Sequence, residues 1–67
     1  MQLIKISSDE ADILGMLVTE FGEEIARDMM RAVKRKGMSA YGRLMVRQSG
    51  KSYLLFRLTA GEEAENA

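Results

Sequence analysis

Lysine and arginine are the chemistry-bearing residues this sequence groups most densely. Arg27, Arg31 and Lys34 recur at helical spacing, Arg35 and Lys36 follow directly, and Arg43, Arg47, Lys51 and Arg57 continue the series. A phosphate backbone is the natural counterpart of such a group, because each cation that meets a phosphate releases condensed counterions. The candidate nucleic-acid contacts are Arg31, Lys34, Arg35, Lys36, Arg43 and Arg57, and the partner they imply is DNA or RNA. A plainer reading exists for some of them. Basic residues in a last helical turn answer the helix dipole and its free carbonyls, and Glu23–Arg27 and Asp28–Arg31 have the spacing of ordinary helix pairs. The formal net charge of zero hides a segregation, since residues 1–24 sum to −5, residues 25–57 to +8 and residues 58–67 to −3.

Other chemistries fail on inventory. The chain has no cysteine and no histidine, which removes thiolate nucleophiles, the commonest general base and the usual zinc ligands. No glycine-rich phosphate loop or nucleophile elbow occurs, so the expectation is a protein that is not an enzyme and needs no cofactor. Asp9, Glu10 and Asp12, or Glu20, Glu23 and Glu24, could be imagined around a divalent cation. A hard cation needs oxygens converging from several elements, and carboxylates in a first helical turn are more often dipole partners. No metal is expected.

A second constellation is apolar. Six methionines in 67 residues suit adaptable contact surfaces as well as gap-filling in a small core. Met16 and Met30 fall on the otherwise polar face of the expected helix. Tyr41, Met45, Leu54 and Phe56 fall on one face of an expected hairpin, among Arg43 and Arg47. Aromatics interleaved with arginine can stack bases, but such a face is more often a subunit interface with charge at its rim. Met16, Met30, Tyr41, Met45, Leu54 and Phe56 are the candidate interface residues.

The elements that must position these groups follow from pattern. Gln2 to Ile6 alternates as a short strand, and Ser7 with Glu10 has the form of a capping box, with Ser8 as another candidate cap. Leu14, Leu17, Val18, Phe21, Ile25, Met29 and Ala32 share a sector about 120° wide at 100° per residue. The spacing predicts one helix over about residues 8–36, stopped by Gly37; a break at Gly22 is the alternative. Tyr41 to Gln48 and Lys51 to Leu58 predict a hairpin around Ser49-Gly50. In that register Val46 faces Tyr53, Leu44 faces Leu55, Met45 faces Leu54 and Arg43 faces Phe56.

The expected fold class is α+β, in the order β-α-β-β, with one long amphipathic helix on a three-stranded sheet. Residues 1–58 form one compact domain and residues 59–67 an acidic flexible tail. A helix of that length spans about 42 Å, whereas six to eight strand residues span about 20–26 Å. The overhang and the second apolar face of the sheet both suggest a homodimer. Met1 leads straight into Gln2-Leu3-Ile4-Lys5, and Ile13 to Val18 falls far short of the roughly 20 apolar residues of a span. The expectation is therefore a cytoplasmic protein with no membrane contact. Its expected function is a small dimeric nucleic-acid-binding accessory or regulatory protein. The alternative is a protein–protein interaction module, a small inhibitor or adaptor of a larger protein, acting through the hairpin face.

Overall fold

A computed structural model of the chain describes residues 2–59. The elements run β1 (Gln2–Ser7), α1 (Glu10–Phe21), α2 (Glu23–Lys36), β2 (Met38–Tyr41), β3 (Leu44–Ser49) and β4 (Ser52–Thr59). The fold is α+β, with two helices where one is expected and a four-stranded antiparallel sheet where three strands are expected. The strand order is β1-β4-β3-β2. β4 extends through Thr59, one residue into the expected tail, and the rest of that tail lies outside the described residues.

The helix starts at a different cap from the one expected. Asp9 closes the first turn, its carboxylate accepting from the N–H groups of Ala11 at 2.8 Å and Asp12 at 3.2 Å. Ser7 ends β1 instead, and its hydroxyl accepts from the Asp9 N–H at 3.1 Å. Gly22 then breaks the helix in two. Its backbone (φ 93°, ψ 162°) is in a region that residues with a Cβ scarcely visit. The Gly22 N–H still closes α1 on the Val18 carbonyl, and its carbonyl opens α2 by accepting from Ala26. Gly37, in the left-handed region, ends α2 as expected.

The break solves a phase conflict. α1 buries Ile13 and Leu17, with Leu14 and Phe21 packed beside them, while α2 buries Ala26, Met29, Met30 and Val33. On one continuous helix those two sets would face directions roughly 150° apart, so no single sheet could cover both. Folding at Gly22 brings both sets onto the same sheet face. Leu44, Val46 and Leu55 meet them there to complete the core. Helices of 12 and 14 residues are about 18 and 21 Å long, which matches the strands. The overhang that argued for a second copy does not exist.

Two glycine turns organise the sheet. Gly42 (φ 57°) and Gly50 (φ 61°) each take the first central position of a two-residue turn, the place a type II′ turn reserves for glycine. Gly42 and Arg43 join β2 to β3, so the strand expected from Tyr41 to Gln48 is broken near its start, where Tyr41 ends β2 and Leu44 begins β3. Gly50 pairs with Lys51 in the other turn, and Ser49 faces Ser52. The register therefore differs by two residues from the expected one, with Val46 opposite Leu55, Leu44 opposite Arg57, Met45 opposite Phe56 and Arg47 opposite Leu54. A shift of two preserves which face each side chain occupies.

Candidate functional site

Strand alternation divides the sheet into two faces. Leu44, Val46 and Leu55 are buried beneath the helices. Their neighbours Met45, Arg47, Leu54, Phe56 and Leu58 consequently project from the other side. Register places Lys5 opposite Phe56 and Leu3 opposite Leu58 on one flank, and Ala40 opposite Met45 and Met38 opposite Arg47 on the other. One row across the sheet reads Lys5, Phe56, Met45, Ala40, and the next reads Leu54, Arg47, Met38. Both helices pack on the opposite face, so no described element covers these rows. Leu3 and Met38 are each 47% exposed, and Met45, Leu54, Phe56 and Leu58 shield one another only in part.

The charge on this face has one sign. Every Asp and Glu among the described residues lies between Asp9 and Asp28, in or beside the helices. The strands carry Lys5, Arg47 and Arg57, and the turns Arg43 and Lys51. The molecule is thus layered, with its carboxylates in the helical layer and a sheet that is apolar and basic.

Of the expected interface residues, Met45, Leu54 and Phe56 share this open face. Tyr41 does not. Paired with Leu44, it turns to the helix side, where its ring meets Phe21 edge-on at a centroid distance of 4.9 Å and an angle of 67°. Met30 is 7% exposed and belongs to the core, because the break at Gly22 rotates an apparently polar face inward. Met16 is 40% exposed. It borders a groove of about 490 Å³ between α1 and the sheet, floored by Ile6, Leu44 and Leu55 and rimmed by Asp12, Glu20 and Arg57. Lys5, Leu3 and Met38 belong to the open face although no local pattern singles them out. They reach it only through the β1–β4 and β2–β3 pairings.

The expected phosphate contacts are split between the two ends of the sheet. Lys34, Arg35 and Lys36 end α2, where the Gly37 carbonyl accepts from the Gln48 N–H at 2.9 Å. That places them at the end of the sheet that also holds Lys51. Arg43 and Arg57 lie at the other end, beside Glu20 and Phe21 around a hollow of about 400 Å³. The run of β3 from Arg43 to Gln48 separates the groups by about 17 Å. The six residues do not form a single cluster, because β2 follows α2 and reverses the chain before Arg43. Arg31 is ion-paired with Asp28. Arg27 meets Glu23 at 2.7 Å, and that hydrogen bond first, then the guanidinium charge, holds the Glu23 carboxyl below its ordinary value. Lys34, Arg35 and Lys36 make no ion pair among the described residues.

Among the described residues no group of three or more acidic side chains converges on a cation-sized position. No helix among them is long and apolar enough to cross a membrane. Comparison with protein-family models, with curated proteins and with solved structures found no match to this chain.

Proposed function

We propose that this protein is a small protein-interaction module, an inhibitor or adaptor, that docks through its open sheet face. The surface it fits is an apolar patch of a larger protein bordered by carboxylates. The observation that carries this reading is the uncovered face itself. Phe56, Met45, Leu54, Leu58, Leu3 and Met38 share it with Lys5 and Arg47, on a sheet whose other side already holds both helices. Contiguous apolar surface with charge at its margins is the usual make-up of a protein interface. The two cations select the partner. An acidic border satisfies Lys5 and Arg47, whereas packing this face on its own copy would bring four cations together with no carboxylate to meet them.

Nucleic acid fits this face less well. Single-strand-binding sheets stack bases on several rings, and with Tyr41 turned to Phe21 only Phe56 stands here. One observation keeps nucleic acid as a second reading. Lys34, Arg35 and Lys36 are adjacent, exposed and without ion pairs among the described residues, as an electrostatic phosphate contact requires.

Three tagged forms of the protein separate the two. The unaltered chain and a Lys34→Glu/Arg35→Glu variant should recover the same partner protein from cell extract, and Arg47→Glu/Phe56→Glu should recover none of it. Fluorescent DNA and RNA oligonucleotides at about 50 mM salt, where electrostatic affinity is high, should remain unbound. Tight oligonucleotide binding that only the Lys34/Arg35 variant loses would replace the docking reading with the second one.

A further inference from the structure

The two edges of the sheet are unequal. β2 offers four residues and β1 six. The stretch Gln2–Lys5 pairs regularly with β4, and the irregularity falls only between Lys5 and Ser7. Edges are normally blunted by bulges, prolines or inward charges, because an unpaired strand invites another. β1 has little of this. Leu3 on the outer face is 47% exposed and Ile4 on the helix-side face is 48% exposed, so the strand is apolar on both faces at its free edge.

The backbone fixes which groups are available there. Leu58 donates its N–H to the Arg43 carbonyl at 2.7 Å, so its main-chain groups face β3. Successive strand residues direct their N–H and C=O to alternate sides, so Arg57 and Thr59 face β1. Their partners in register are Ile4 and Gln2, which therefore face β4. Leu3 and Lys5 are left presenting N–H and C=O to the open side.

We propose that β1 pairs antiparallel with β1 of a second copy, with Ile4 on the two-fold axis. In that register Leu3 of each copy stands opposite Lys5 of the other, and these are the residues whose backbone groups point outward. Ile4 meets Ile4 as the non-hydrogen-bonded pair, where side chains approach most closely. Gln2 lies opposite Ile6. Lys5 is the only charge in the overlap, and it faces a leucine, so no like charges are opposed. A register centred on Lys5 would satisfy the same backbone groups but set lysine against lysine. The contact is isologous and closes at two copies. It also merges the two open faces into one continuous surface, so that a single docking patch becomes a symmetric pair. The seam stands on the edge strand alone and is independent of what the open face binds.

The chain contains no cysteine, which makes single-cysteine variants clean probes. Cα atoms in a non-hydrogen-bonded antiparallel pair lie about 4.5 Å apart, within disulfide range. Ile4→Cys should therefore oxidise to a disulfide-linked dimer, and Met38→Cys on the opposite edge should not. Sedimentation of the unaltered chain from micromolar to submillimolar concentration should show a dimer. Ile4→Lys and Ile4→Glu should each sediment as monomers, and an equimolar mixture should recover the dimer, which a mere folding defect would not do. Leu3→Pro removes an outward N–H while leaving the bonds to β4, and should also give a folded monomer by circular dichroism. A monomer at every concentration would overturn the seam. So would a dimer that survives Ile4→Lys, or oxidation as ready at Met38→Cys as at Ile4→Cys.

Discussion

At the scale of residues, a few glycines decide where this chain turns, and each does so through a backbone angle. Gly42 combines φ 57° with a crowded position, since an added Cβ would lie 3.2 Å from the Phe21 ring. Gly42→Ala should cost about 1–3 kcal/mol through the strained φ alone, with loss of the Phe21–Tyr41 contact adding to it. Gly15 is the opposite case. It sits inside α1, and a Cβ placed there would meet nothing within 4 Å, so Gly15→Ala should stabilise by about 0.5–1 kcal/mol through helix propensity. Urea unfolding of the two variants should give midpoints on opposite sides of the parent. Titration supplies another check. The Glu23 carboxyl is depressed by Arg27, so their pair is intact at neutral pH and is lost as pH falls through that lowered value. Arg27→Ala should move the Glu23 carboxyl resonance midpoint upward in an NMR titration. The cap at Gly37 and the turn at Gly50 are legible in the sequence, as glycine after a basic helix end and glycine between strands. Gly22 and Gly42 are harder to read, because each interrupts a pattern that looks continuous without it.

Elements show why those interruptions matter. The residues Leu14 to Ala32 form a regular stripe by count, yet the buried sets of α1 and α2 point roughly 150° apart on an unbroken helix. A periodicity count sums over the break and reports an average that neither half uses, which is how Met30 looks exposed and Val18 looks buried. The hairpin fares differently. Its register slips by two residues when Gly50 is given the second rather than the first turn position, and the faces survive because the strand period is two. Leu44, Val46, Leu55, Met45, Leu54 and Phe56 are therefore sorted correctly by sequence alone. The partner of β1 is illegible, since pairing between chain ends is a long-range choice with no local signature, and β2 is missed because the turn at Gly42 falls inside a stretch that reads as one strand. Leu55 tests the packing directly. It is fully buried on β4, one of the two central strands, within the core that both helices help to form, so Leu55→Ala should cost about 2–5 kcal/mol. In a 67-residue domain of small total stability, that loss should emerge as a partly unfolded population by circular dichroism at room temperature.

For the molecule as a whole, the governing feature is the separation of layers. Carboxylates collect with the helices, and the sheet keeps none on the face that nothing in the described chain covers, where apolar side chains stand with Lys5 and Arg47. Charge counted along the sequence shows a basic middle and suggests one basic site. Folding distributes that charge to two ends and one face, leaving an uncovered apolar platform that carries Lys5 and Arg47. A photo-crosslinking amino acid in place of Met45, at the centre of that platform, tests the claim most directly. A docking platform there predicts capture of one protein in cells, abolished by adding Phe56→Glu or Arg47→Glu and unchanged by Lys34→Glu/Arg35→Glu. Capture that persists with both Phe56→Glu and Arg47→Glu, or that disappears with the helix-end reversal, would contradict it.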